Sequence, residues 1–216
     1  YLCDPYGHVL TVISRFESLS FSNRLNSIGE FELILPADFD LNLIQNGNIV
    51  DVWVAPEAGM TTRREFTGFI QGDEQTFIAD GVKLVKVTGR DLNDILETRV
   101  NIEDASRTDF PDNIIRFIVG RNAGRAGGLS RSFYNQLRFD AEPRQSWGRA
   151  ITLDASLGQS LGSVVNSVAK RVAEDAVYPL RLYYGVVVDG FNPLKAQFRV
   201  RQKQWGADRS YATGAR

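Results

Sequence analysis

The stretch IGEFELILPADFD, residues 28–40, predicts the kind of structure that the N-terminal half adopts. Gly29 suits a turn, and the residues after it alternate as they do in a strand with one buried face. Pro36 cannot donate a ladder hydrogen bond, so the strand is expected to end there or to lie at a sheet edge. We expect one face to carry Phe31, Leu33 and Leu35, and the other to carry Glu30, Glu32 and Ile34.

The segments around this strand repeat the pattern over residues 9–90. Turn residues separate short runs that are rich in β-branched and aromatic side chains: HVLTVISRFESLSFSNRLN (two strands joined near Phe16 and Glu17), NIVDVWVAP, RREFTGFIQGDEQ and VKLVKVTGR. About six short strands at regular spacing are typical of a small barrel or a sandwich.

The periodicity changes at Gly89. In GRDLNDILETRV, apolar residues recur at helical spacing, and Asp91 is predicted to be the N-cap of a short helix. This helix is expected to cap the end of the barrel. We therefore place a first, β-barrel domain at residues 1–100.

Residues 101–216 mix helical and extended patterns, which predicts an α+β second domain. PDNIIRFIVGRN is predicted to be a helix ending at Gly120, and FYNQLRFD a strand. LRLYYGVVVDGFNPLKAQFRVRQK is predicted to be a hairpin with Asp189 and Gly190 in its turn. Between them, SLGQSLGSVVNSVAKRVAEDA has the strongest amphipathic pattern of the chain, with an apolar stripe of Leu161, Val164, Val165, Val168, Ala169 and Val172. The predicted class is α+β, mainly β.

Composition excludes several classes of protein. The net charge of −1 gives no overall field that would attract nucleic acid or an anionic membrane. The single cysteine, Cys3, excludes an internal disulfide framework and a cysteine-based zinc cluster. No apolar run approaches the roughly 18 residues of a membrane-spanning helix, so we expect no stable membrane insertion. The first residues resemble neither a signal peptide nor a start with methionine, and we expect the chain to be a fragment of a longer polypeptide.

The sequence offers little for catalysis. His8 is the only histidine; it lies in a turn, and no GxSxG motif supplies a nucleophile for it. The GRAGG segment lacks the lysine and hydroxyl residue that end a phosphate-binding loop. Carboxylates are spread along a polar segment rather than paired across a cleft. We therefore expect no enzyme activity, no catalytic residue, no cofactor and no metal.

Charged residues are the remaining candidates, because an acidic segment precedes an arginine-rich one. This arrangement has three interpretations: solvated surface, pairing between the acidic segment of one subunit and the basic segment of another, and a nucleic-acid channel, which would also need exposed aromatic residues. The candidate interface residues in these segments are Glu103, Asp104, Arg116, Arg121, Arg125 and Arg131.

The order of the segments adds a resemblance. The succession FESLSFSNRLNSIGEFELILPADF, NGNIVDVWV, EFTGFIQ and VKVTGRDLNDILETRV is similar to the N-terminal part of siphophage tail-tip hub proteins, also called minor tail or tail-associated proteins. That family is related in fold to the central baseplate hub of contractile tails. Later, QFRVRQKQWGADRS resembles the strand and Asp-Arg-Ser corner that closes the family's second domain.

The resemblance implies a fold and a role. The first domain would be a barrel like that of tail-tube proteins, with Glu30 and Glu32 on its outer face, where they would meet a neighbour or line a lumen. Subunits would form a ring, usually a trimer, in the virion at the tail tip, after assembly in the host cytoplasm. The implied partners are the tail tube or distal tail protein, the tape-measure protein and receptor-binding or fibre proteins, with DNA passing through the ring.

This sequence departs from the family's pattern, and two rivals remain. The family's second barrel is not visible, and the chain ends just after Asp208, Arg209 and Ser210, where the family chain returns to the first barrel. One rival is the distal tail protein, which usually forms a hexameric ring. The other is a module that binds or degrades host-wall carbohydrate, prompted by scattered acids and by Trp53, Trp147 and Trp205. Tryptophans so far apart in sequence are more often core anchors than a sugar platform.

Overall fold

The chain folds as an α+β protein that is mainly β, as the sequence predicts. In the computed structural model, the described residues are 1–24, 26–55, 62–72, 75–79, 82–124, 138–139, 145–188 and 196–202. Within them, strands outnumber helices, and almost all strand pairs are antiparallel.

The N-terminal half forms one eight-stranded antiparallel sheet. Its strands are paired in the order β2-β1-β5-β6-β8-β4-β3, and β7 also pairs with β8. Their bounds are Leu2–Cys3 for β1, Val9–Thr11 for β2, Ser18–Phe21 for β3, Glu30–Pro36 for β4, Ile49–Val54 for β5, Arg63–Ile70 for β6, Gln75–Ala79 for β7 and Val82–Asp91 for β8. A 3₁₀ turn over Leu41–Leu43 connects β4 to β5.

Strand β4 has the alternation that its sequence predicts. Phe31, Leu33 and Leu35 are buried, Glu30 is exposed, and the side chains of Glu32 and Ile34 are half-buried. β4 ends at Pro36, but it is an inner strand, paired with β3 on one side and β8 on the other. Proline is tolerated at this end position because the strand stops there.

The sheet is not a closed barrel among the described residues. Its pairing runs from β2 at one end to β3 at the other, and no described ladder joins these two strands. The expectation of a barrel is therefore corrected to a sheet with two open ends. The sheet nevertheless encloses apolar side chains from β4, β5, β6 and β8, including Phe31, Leu35, Val52, Phe66 and Val87.

The C-terminal half contains three helices in all with the capping helix, and two small sheets. α1 spans Asp94–Thr98, α2 spans Pro111–Asn122 and α3 spans Leu161–Ala173. β9 (Ala105–Asp109) pairs antiparallel with β11 (Ile151–Ala155). β13 (Ala196–Arg201) lies between β10 (Arg138–Phe139), which is parallel to it, and β12 (Tyr183–Val188), which is antiparallel. The predicted hairpin is thus present, and its turn, Asp189 and Gly190, lies outside the described residues.

Helix α3 is stabilised as its sequence predicts. All six residues of the predicted stripe are buried. Ser160 is the N-cap, and its Oγ accepts the backbone N–H of Ser163 at 3.0 Å. Lys170 and Arg171 occupy the last turn, where positive charge is favoured by the helix dipole.

Two details of the helix predictions are wrong. The N-cap of α1 is Asn93, not Asp91, because the carboxylate of Asp91 accepts the N–H of Asn93 in a local turn before the helix begins. Helix α2 continues past Gly120 to Asn122, since its buried face, with Ile118 and Val119, extends to Ala123.

A single apolar core joins the two halves. Cys3, Ile49 and Phe69 of the large sheet belong to the same buried cluster as α1, α2, α3 and the β12–β13 hairpin. The boundary expected at residue 100 therefore coincides with no break in apolar packing. No helix in the described part of the chain has the length and apolarity that crossing a membrane requires.

Candidate protein–protein interface

Glu30 and Glu32 lie on the outer face of the sheet, as expected, beside a shallow groove. Glu32 pairs with Lys86 at 2.5 Å, and Glu30 is opposite Arg90 in the β4–β8 register. Arg90 itself pairs with Asp94 at 3.1 Å. The groove, of about 590 Å³, is lined by residues of β3, β4 and β8 together with Gln71. Whether this face meets a neighbour or a lumen stays a prediction.

The acidic and basic segments are partly paired within the chain. Glu103 pairs with Arg121, whose guanidinium also lies 5.8 Å from the ring centre of Phe117. Arg107 stacks on the same ring at 4.3 Å. Glu103 and Arg121 are thus brought together in one subunit, and each remains about two-fifths exposed.

Asp104 and Asp109 hold backbone in place. Asp104 accepts the N–H of Leu157 at 2.8 Å, which fixes the turn after β11. Asp109 accepts from Asn113, Arg107 and the N–H of Phe110, and these bonds lower its pKa to about 2. Both carboxylates therefore have structural contacts at the ends of β9.

The other candidate arginines are not brought together with these residues. Arg116 is half-buried on α2 and approaches the carbonyl of Val200 at 3.5 Å. Arg125 and Arg131 lie outside the described residues.

The strongest interface feature is one that the sequence analysis missed, namely the two open ends of the sheet. β2 pairs only with β1, and it presents Val9 and Leu10 with exposed fractions of 58% and 42%. Val12, just after the strand, is also exposed. Apolar residues at three successive positions, 9, 10 and 12, were the available signal, because a buried strand with one wet face would alternate more strictly.

The opposite end of the sheet is also apolar. Phe16 and Phe21 flank β3, and both are exposed by more than a third. Ser22 donates its backbone N–H to Glu30, so the strand alternation directs the backbone groups of Leu19 and Phe21 away from β4. The two sheet ends thus carry different residues and have backbone groups available for pairing.

Two asparagines join the large sheet to the second half. Asn93 Oδ1 accepts the N–H of Val186 at 2.8 Å, and Asn26 Oδ1 accepts that of Tyr184 at 2.8 Å. Asn26 also donates to the carbonyl of Leu182 at 2.9 Å, from a backbone φ of 57° that asparagine tolerates. These side chains occupy the free edge of β12, which is the last strand of its sheet.

Asp91 orients this junction. It is buried, and it accepts the N–H of Asn93 at 3.0 Å and its side-chain amide at 3.2 Å. Burial raises its pKa to about 6, although hydrogen bonds from Gly29 and Asn93 oppose the rise. The Gly29–Asp91 corner, part of the resemblance to the tail-tip family, is therefore the structural link between the sheet and the second half.

Trp53 and Trp147 serve as packing residues. The indole N–H of Trp53 donates to buried Asp51 at 2.7 Å, and Arg64 covers the ring at 4.7 Å from its centre. Trp147 packs against the main core, and its N–H donates to Asp112 at 3.1 Å. Trp205 lies outside the described residues, so no sugar-binding platform is formed by the two described tryptophans.

The residues considered for chemistry remain apart. His8 is exposed and lies 2.9 Å from Asp4. Cys3 is buried. Across the described ranges, no three histidine, cysteine or acidic side chains are grouped as metal ligands would be.

Comparison with known proteins gives two solved structures of tail type. A tail protein from Neisseria meningitidis MC58 aligns with a TM-score of 0.43 and 14% identity, covering 83% of this chain and 44% of that one. The E. coli c3393 protein, described as a type VI secretion system component with structural similarity to the T4 tail proteins gp27 and gp5, aligns with a TM-score of 0.46 and 11% identity at the same coverage. This chain therefore spans less than half the length of either. No family model and no curated protein matches the chain.

Proposed function

We propose that this chain is a structural, non-enzymatic component of a phage tail, and more specifically a ring-forming hub at the tail tip. The ordered sequence landmarks from Phe16 to Arg99 support the family assignment. In this role the ring connects the tail tube or distal tail protein to receptor-binding parts, contacts the tape-measure protein and opens for DNA.

The observation that carries the ring proposal is the large sheet with two unlike open ends. A ring of identical subunits joined head to tail needs two different, complementary surfaces on each subunit. A sheet edge with free backbone groups pairs readily with another strand, and exposed apolar residues strengthen that tendency. β2 with Val9 and Leu10 provides one edge, and β3 with Phe21 provides the other.

The junction of Asn26 and Asn93 supports the same role. A subunit that transmits force between a tube and its tip needs its two halves to move together. Direct hydrogen bonds to β12 and a shared apolar core couple the halves of this chain.

The mass of the assembled protein, measured by light scattering at several concentrations, tests the proposal. Images down the symmetry axis then count the subunits. Three copies around an opening favour the hub, and six copies favour the distal tail protein. A monomer at high micromolar concentration contradicts both.

An edge variant makes the test specific. Leu10→Lys is expected to reduce ring formation, because a lysine on an edge strand disfavours further pairing. Val100→Lys is the matched control, since Val100 is also 42% exposed but lies after α1, away from both sheet ends. Equal association of the two variants would contradict the edge contact.

A further inference from the structure

A second exposed apolar feature lies far from the sheet ends, in the loop after α3. Val177 and Tyr178 are exposed by 65% and 64%. The next residues turn back, and the N–H of Leu180 donates to the carbonyl of Val172 at 2.8 Å. We call Val177, Tyr178 and Arg181 the loop tip.

The loop tip is held in one conformation by its own side chains. Asp175 accepts the N–H groups of Val177 and Tyr178 at 2.9 and 3.0 Å. Arg149 pairs with the same carboxylate at 2.8 Å. These contacts lower the pKa of Asp175, the hydrogen bond from Tyr178 being the largest cause. An apolar tip that is already ordered loses little conformational entropy when it is covered.

The surroundings of the loop tip are basic. Lys170, Arg171 and Arg181 are exposed near the end of α3, and Arg149 is 60% exposed. Glu174 and Asp175 are the acids among them, so these six residues carry a net charge of +2, four positive and two negative. A partner surface should therefore combine apolar and acidic side chains.

The same chain carries such a surface before β3. Phe16 is 47% exposed, and Glu17 and Asp38 are exposed beside it in the β3–β4 region. Asp38 pairs with Arg15 at 3.2 Å, whereas the side chain of Glu17 has no hydrogen bond or ion pair among the described residues. We call Phe16, Glu17 and Asp38 the acidic corner.

We propose that the loop tip of one copy docks on the acidic corner of a second copy, with Tyr178 against Phe16 and Arg181 against Glu17. Both partners are apolar at the centre and carry opposite charge at the rim, which is the usual composition of a protein interface. Because the two surfaces differ, the contact is head to tail. It rests on the proposed ring only in requiring a second copy, and it adds a contact that the sheet edges do not make.

The test measures self-association of the 216-residue chain by analytical ultracentrifugation. Tyr178→Ser is expected to weaken association about tenfold, as loss of a central aromatic residue does. Leu157→Ser is the matched control, because Leu157 is 63% exposed in another turn that an aspartate holds. Thermal melting of each variant checks that it is folded.

A charge exchange identifies the partner surface. Arg181→Glu and Glu17→Arg should each weaken association, and the double variant should recover most of the loss. If the double variant stays as weak as the sum of the two, the acidic corner is the wrong partner.

The outcomes separate this proposal from the ring. If Tyr178→Ser and Arg181→Glu associate like the unchanged chain while Leu10→Lys does not, the loop-tip contact is wrong and the ring stands. If Leu10→Lys matches its control and Tyr178→Ser weakens association, the loop tip stands without the edge contact. A chain that is monomeric at every concentration contradicts both.

Discussion

Asn93 and Val186 are 93 positions apart, yet the side-chain oxygen of Asn93 accepts the backbone N–H of Val186 at 2.8 Å. The same amide donates to the carbonyl of Ser27 at 3.0 Å and to Asp91 at 3.2 Å. One buried side chain therefore connects the turn before β4, the end of β8 and the edge of β12.

Asn93→Ala should destabilise the protein by about 1–3 kcal/mol, because it leaves the buried N–H of Val186 without an acceptor. Urea unfolding followed by circular dichroism measures the change. Asn46→Ala is the control: Asn46 is exposed in a turn, and its replacement should change stability by less than about 0.5 kcal/mol. Equal effects of the two variants would show that the junction contributes nothing.

Asp91 should make stability depend on pH between about 4 and 6. Its pKa is raised from 3.8 to about 6 in the folded chain, so the folded state binds more protons than the unfolded state in this window. The free energy of unfolding should therefore fall, as far as Asp91 contributes, when the pH rises from about 4 to 6.

Comparison with Asp91→Asn isolates that contribution, because other carboxylates titrate in both proteins. The stability of the unchanged chain relative to the variant should decrease across the window and stay level above it. A constant difference at every pH between 4 and 8 would contradict the raised pKa of Asp91.

Gly89→Ala and Gly120→Ala should have opposite effects. A Cβ at Gly89 would overlap the carbonyl oxygen of Phe69 and the ring of Phe31, so the variant should lose about 1–3 kcal/mol. Gly120 lies within α2, and a Cβ there meets no atom within 4 Å. Its replacement should add about 0.5–1 kcal/mol, since alanine favours helix. Thermal unfolding of both variants measures the contrast, and a loss at Gly120 would contradict it.

Ser160→Ala should destabilise the protein by about 1 kcal/mol, through loss of the N-cap of α3. The hydroxyl of Ser160 also donates to Glu97 at 3.0 Å, so the variant loses a contact between α1 and α3 as well. Ser163→Ala, on the exposed face of the same helix, is the control and should be neutral or slightly stabilising. Denaturant midpoints compare the two, and similar losses would exclude a capping role.

Local patterns predicted the parts of the fold that depend on local sequence. The alternation of β4 and the stripe of α3 could be read directly because each buries one face. The β9–β11 pair could not, because ASRTD is mostly polar and its partner strand lies more than 40 positions later. For the same reason, the contact of Asn93 with Val186 has no signal in either segment.

The candidate site was predicted only in part. Glu30 and Glu32 lie on the outer face as expected, since strand alternation alone determines it. Sequence could not show that Glu103 and Arg121 meet within one chain, because charge order is the same for internal and intersubunit pairs. The open ends of the sheet depend on which strands pair, and this is decided by tertiary packing rather than by local pattern.

The apolar cluster that crosses residue 100 has a consequence for how the chain melts. Cys3, Ile49 and Phe69 are covered by side chains from beyond that position. A fragment ending at residue 100 would expose them to water, and a fragment beginning at 101 would lose part of its own interior. The protein should therefore unfold in a single cooperative transition, with calorimetric and van't Hoff enthalpies that agree, rather than as two independent halves.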